Sequence, residues 1–212
     1  MHFDFYVEDQ SGEKALEMLL PRMIGKSTFN IHSYKGIGHI PKGLKPKTDA
    51  SKRILLDRLP KILSGLGKSY QGFPAAIIVV CDLDNRDKEQ FLAELEQIKA
   101  NCDPCPTTLF CLAIEEMEAW LLGDIPAIKK AYPHAKMNIL NAYKNDSICG
   151  TWEVLADAIH KGGHTALKKE GWSSTGAAKS RWAENIAPHM DLQNNSSPSF
   201  NDFIERIKAL NV

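Results

Sequence analysis

Residues 74–85 read PAAIIVVCDLDN, and this stretch decides the fold. A continuous β-branched run of this kind suits a strand covered on both faces, as in a parallel sheet, because a half-exposed strand would alternate apolar with polar. The next segment, DKEQFLAELEQIKA over 87–100, has helical spacing. TLFCLAI, 108–114, is a second buried strand, and EEMEAWLL, 115–122, continues as a helix. Upstream, Phe3–Val7 and Thr28–Tyr34 read as strands, with Leu16, Leu19, Leu20 and Met23 at helical spacing between them. Residues 48–66 look helical, with Pro60 opening a new turn or kink. Strands alternating with helices predict an α/β fold with right-handed crossovers: a parallel-rich sheet of about four strands flanked by helices. Beyond Gly123 the pattern is helical or irregular, ending in a polar QNNSSPS linker and a helix over 200–210. The expected organisation is an α/β core over 1–123 and a helical extension over 124–212 packed on it.

The 212 residues suffice for a sizeable core without a staple. An apolar fraction of 43% and a charged fraction of 25% exclude disorder along the whole chain, collagen and coiled coil. No apolar run is long enough to span a bilayer. The start, MHFDFYVED, has neither a basic opening nor a long apolar stretch, so the expectation is a cytoplasmic protein without a secretory signal. The cysteines Cys81, Cys102, Cys105, Cys111 and Cys149 are odd in number, as for reduced thiols. The single CxxC, Cys102 to Cys105, lacks the second pair that a structural zinc site needs.

Net charge is zero but unevenly spread. Residues 1–20 carry −4, 21–72 carry +9, 73–126 carry −8 and the rest +3. Acidic blocks attract cations and a basic block attracts phosphate, although a solvated charged surface has the same composition. In α/β sheets functional groups gather beyond the carboxyl ends of the strands. Acids stand at three such ends: Glu8 and Asp9, then Asp82 and Asp84, then Glu115, Glu116 and Glu118. Two aspartates one residue apart at a strand end, completed by an acid from a neighbouring strand, suit a hard divalent cation. One or two Mg2+ or Mn2+ ions there would serve phosphoryl chemistry. A lone DxD is equally well a turn that caps the next helix.

FYVEDQSGEKA, VVCDLDNRD and AIEEMEAWLLGD, in that order, resemble the Toprim fold, the catalytic domain of topoisomerases, primases and OLD-type nucleases. More closely, with TWEVLADAI and the IAPHM and SPSF tail, the chain resembles a small stand-alone bacterial Toprim-like family of unassigned function (DUF4276-like). The resemblance implies that Glu8 is a general base or acid or a metal ligand. It implies that Asp82 and Asp84 bind metal, as do Glu116 and Glu118. It implies that Lys179, in GAAKSRWAENIAP, stabilises charge on the scissile phosphate. Asp9 departs from the family's usual Gly. OLD-type relatives also imply an ATPase partner and a phage-defence setting.

KGIGHIPKGLKPK, 35–47, is a Gly/Pro/Lys loop whose Lys35, Lys42, Lys45 and Lys47 are candidates for nucleic-acid binding. No GKS/T follows its glycines, which argues against a Walker-type site. The leading expectation is a Mg2+-dependent nuclease acting on DNA or RNA. A non-catalytic module that binds nucleic acid or a partner stays open. So does a haloacid-dehalogenase-like phosphatase with Asp82 as nucleophile and Asp84 as acid/base, although DLDNR lacks that family's usual Thr.

Overall fold

The run at residues 74–85 becomes an interior strand. The structure, a computed structural model, describes residues 1–36, 38 and 55–211. In chain order its first elements are β1 (His2–Val7), α1 (Gln10–Met23), β2 (Thr28–Ser33), α2 (Leu55–Ser69), β3 (Ala75–Asp82), α3 (Lys88–Ala100) and β4 (Thr107–Ala113). There follow α4 (Glu118–Leu122), α5 (Ile125–Ala131), α6 (Met137–Ala142), α7 (Thr151–Ile159), α8 (Gly163–Glu170), α9 (Trp172–Ile186) and α10 (Pro198–Leu210).

The four strands form one parallel sheet in the order β2-β1-β3-β4. Every residue of β3 is buried, which explains its unbroken apolar run. Ala76, Ile78 and Val80 face one hydrophobic cluster; Ile77, Val79 and Cys81 face the other. β1 divides the same way: Phe3, Phe5 and Val7 join the first cluster and Tyr6 the second. Leu55, Leu56, Leu59 and Leu63 of α2, with Phe91 and Leu95 of α3, cover the second face. The edge strand β2 alternates exposed and half-buried residues, because Phe29 and Ile31 pack on the first cluster while its other face meets solvent. This α/β arrangement, with helices on both faces of a parallel sheet, is consistent with a Toprim-like fold.

The first face is covered by α1 and by helices from beyond residue 123. Trp152, Trp182, Phe200 and Phe203 lie in the same cluster as Phe3 and Phe5. Trp120 stacks on Phe203 with ring centroids 4.8 Å apart. On α10, Arg206 donates to the Phe110 carbonyl of β4 (2.7 Å), tying the last helix to the sheet. Gly123 ends α4 where side chains leave no room: a Cβ there would sit 2.1 Å from Asn195 Oδ1 and 2.8 Å from the Ser197 backbone nitrogen. Among the described residues no helix is long and apolar enough to cross a membrane.

Candidate functional site

β1, β3 and β4 are parallel, so their carboxyl ends open on the same edge of the sheet, and the acidic motifs follow there. β1 ends at Val7, and Glu8 reaches toward β3: its Oε2 accepts from the Asp82 backbone N–H (3.3 Å). Asp9 caps α1, accepting from the Gly12 amide (2.9 Å). This cap is the physical reason an aspartate is accommodated at that turn. Ser11 Oγ donates to Asp9 (3.0 Å) and lies 3.5 Å from Glu118 Oε1, at the long end of hydrogen-bonding distance.

The third motif divides. Glu115 stands at φ 60, and its carboxylate accepts from the backbone N–H groups of Cys149 (3.1 Å), Gly150 (2.8 Å) and Thr151 (2.8 Å) and from the Thr151 hydroxyl. It thereby caps α7. Burial opposes ionisation of Glu115, but these hydrogen bonds outweigh it and hold its carboxyl below the usual range. Glu116 and Glu118 go elsewhere, to Lys179. The Lys179 ammonium lies 3.3 Å from Glu116 Oε2 and 3.1 Å from Glu118 Oε2. Glu118 is 1% exposed, and its Oε2 has no aligned hydrogen-bond donor despite the nearby ammonium.

Glu116 and Glu118 thus pair with one lysine, Asp82 and Asp9 lie near enough to attract it, and Glu8 is held against Asp82. Burial first, then Glu8, pushes the Asp82 carboxyl well above the usual range, while Lys179 opposes the shift. Burial raises Glu116 to about 8 against the attraction of Lys179, with Glu118 adding to the rise. Burial alone would lower the Lys179 ammonium, but Glu118, Glu116 and Asp82 together drive it well above its ordinary value.

Asp84 is placed differently. It stands at φ 50, its N–H donates to the Glu115 carbonyl (2.9 Å), and its carboxylate is held by Arg86 at 2.7 Å. Lys35 is exposed just after Tyr34; the Gly36 amide donates to the Glu8 carbonyl (3.0 Å), so the basic segment leaves beside the first acidic motif. Lys42, Lys45 and Lys47 lie outside the described residues.

Of the residues named from the sequence, the structure brings Glu8, Asp82, Glu116, Glu118 and Lys179 to one place and turns Asp84 away to Arg86. The sequence reading missed the capping duties of Asp9 and Glu115. An aspartate just ahead of a helical run signals the first; nothing local signals the second.

The donor set is hard oxygen throughout, the ligand type that Mg2+ or Mn2+ takes, and the Glu118 Oε2 has the Lys179 ammonium 3.1 Å away as its counter-charge without an aligned hydrogen bond. With the side chains as they stand, Lys179 supplies the positive charge, and among the described residues no group of three or more His, Cys, Asp or Glu is arranged to hold a metal ion.

A family model described as Domain of unknown function (DUF4276) matches residues 7–208. The chain belongs to this family. The match runs from the end of β1 into α10, so the DUF4276 unit takes in all three acidic motifs and Lys179 alike. No curated protein and no solved structure matches the chain.

Proposed function

We propose that this DUF4276 protein hydrolyses phosphodiester bonds of nucleic acid in a Mg2+- or Mn2+-dependent reaction, as a Toprim-type enzyme related to OLD nucleases. The observation that carries the reading is the grouping of Asp82, Glu116 and Glu118 about Lys179, with Glu8 held against Asp82, beyond the carboxyl ends of the strands. Asp82, Glu116 and Glu118 would hold the ion, with Asp84 able to join only by leaving Arg86. When bound, the ion supplies Lewis acidity toward a phosphoryl oxygen and a water of lowered pKa. Glu8 accepts a proton from the attacking water or orients it. Lys179 donates to a phosphoryl oxygen as charge develops. Lys35, Lys42, Lys45 and Lys47 would follow the phosphate backbone. An ATPase partner and a role in phage defence rest on the OLD resemblance alone.

A second reading, a non-catalytic module binding nucleic acid or a partner, is favoured by one observation: Lys179 already satisfies the carboxylates with a fixed internal cation. A Mn2+ titration beside a cleavage assay on single- and double-stranded DNA and RNA separates the two. Metal binding and cleavage that both disappear in Asp82→Ala support the enzyme. Metal-independent binding with no cleavage by the parent protein supports the module.

A further inference from the structure

Three of the four tryptophans are core residues: Trp120, Trp152 and Trp182 are all buried. Trp172 is 81% exposed. It opens α9, where Gly171 at φ 95 breaks the chain away from α8. Lys179 lies on the same helix, seven residues on. At the α-helical rise and turn this is about 10 Å along the axis and within about 20° of the same direction around it. Trp172 is therefore borne on the same side of α9 as Lys179, two turns toward the start of the helix.

Its surroundings are polar and basic. Ser173 follows it, and Lys161, ahead of α8, and Lys169, near its end, are exposed, against one acid, Glu170, over residues 161–172. The other large exposed apolar side chains, Met1, Phe73 and Ile148, belong to other parts of the chain. A protein-docking surface would gather such side chains into one apolar patch. A single aromatic ring among cations is instead what a nucleobase with its phosphates would meet.

We infer that Trp172 is a stacking platform for an unpaired base of the strand whose phosphate meets Lys179, so that the substrate is single-stranded at the site. The inference rests on the nuclease reading for the site beside it. Stacking on an aromatic ring tolerates any base, so the contact favours single strands over duplex without reading sequence.

The test is equilibrium binding of the whole chain to labelled oligothymidylate, oligouridylate and a matched duplex, in EDTA and at low salt. Beside the parent stand Trp172→Ala and Trp172→Phe, both expected to fold because the side chain is in solvent. Tryptophan emission of the parent should be quenched by either single strand. Trp172→Ala should bind single strands about tenfold more weakly with an unchanged salt slope, Trp172→Phe should lie between, and duplex binding should change less. If Trp172→Ala binds single strands as the parent does, this inference is overturned, and cleavage by the parent would leave the nuclease reading standing. If the parent binds no nucleic acid, both fall. If Trp172→Ala changes only the oligomeric state, the indole serves a protein contact and the inference is equally overturned.

Discussion

The Lys179 ammonium sits 3.1 Å from Oε2 of Glu118, a carboxylate with almost no solvent contact, and 3.3 Å from Glu116. The residues come from distant parts of the chain: Lys179 from α9, Glu118 from the start of α4 and Glu116 from the turn before it. Lys179 therefore has two duties in one place. It neutralises carboxylates that could not otherwise be buried together, and it joins the C-terminal helices to the sheet. A buried ion pair stabilises little compared with an apolar pair, but removing one partner strands the other.

Lys179→Met should accordingly lower stability by about 3 kcal/mol or more at neutral pH. The Glu116 and Asp82 carboxyls, already raised by burial and held down by Lys179, would titrate higher still when folded. Their contribution is then present at low pH and lost as pH rises, so the variant should be more stable at pH 5 than at pH 8. Adding Glu118→Gln should return part of the loss by removing one buried charge. Chemical denaturation of the single and double variants at both pH values checks this; a loss independent of pH and unrelieved by Glu118→Gln would contradict it.

Much of this fold is legible in the chain because β3 is covered on both faces and so records its burial as Ile77–Ile78–Val79–Val80 without interruption. The acids at the strand ends are legible for a related reason: chain direction in a parallel sheet sends them all to one edge. What could not be read is how they divide. Glu115 and Glu116 are adjacent, yet one caps α7 and the other faces Lys179, because Glu115 adopts a left-handed backbone that turns the chain between them. Asp84 differs from Asp82 for the same reason, with φ 50 and a local arginine two residues on. Lys179 is 61 residues from Glu118, and no periodicity carries information over that distance.

Asp4 offers a pH test away from the site. It is buried on β1 and accepts from Asn30 (3.0 Å), His32 (3.3 Å) and the Tyr70 hydroxyl. Burial alone would raise its carboxyl, but these bonds outweigh it and lower it from 3.8 to about 2. A depressed carboxyl stabilises the fold above its unfolded value, and the stabilisation disappears as pH falls through the folded value. Roughly 2 kcal/mol should therefore be lost between about pH 4 and pH 2. Tyr70→Phe should lower stability at pH 7 and flatten that acid limb, as read by thermal melts across the range.

Glu115 should behave as a positioning residue. Glu115→Gln keeps the size but weakens the acceptor that receives three backbone N–H groups, and should cost about 1 kcal/mol of stability. It should also reduce cleavage, because the neighbouring Glu116 loses its fixed start, while leaving the affinity for nucleic acid unchanged. Glu115→Gly relieves the φ 60 backbone yet removes the cap entirely, so it should be less stable than Glu115→Gln. An equal melting temperature for the two would show that the backbone, not the carboxylate, carries the effect.

Asp82 and Asp84 share a motif but not an environment, and their variants should separate. Asp82 is buried, its N–H is bonded to Glu8, and it feels Glu8, Asp9 and Glu118 together. Asp84 is half-exposed and already paired with Arg86. Without metal, Asp82→Asn removes one member of a repelling group and should keep or raise stability near neutral pH, whereas Asp84→Asn should change it by less than about 1 kcal/mol. With Mn2+, Asp82→Asn should lose binding and cleavage, and Asp84→Asn should retain weakened binding through Asp82, Glu116 and Glu118. Arg86→Ala frees Asp84, and should tighten Mn2+ if that carboxylate can swing to the ion. Isothermal titration of the three variants decides: equal loss in both aspartate variants would mean that Asp84 leaves Arg86 to ligate, and full binding in Asp82→Asn would remove Asp82 from the proposed ligands.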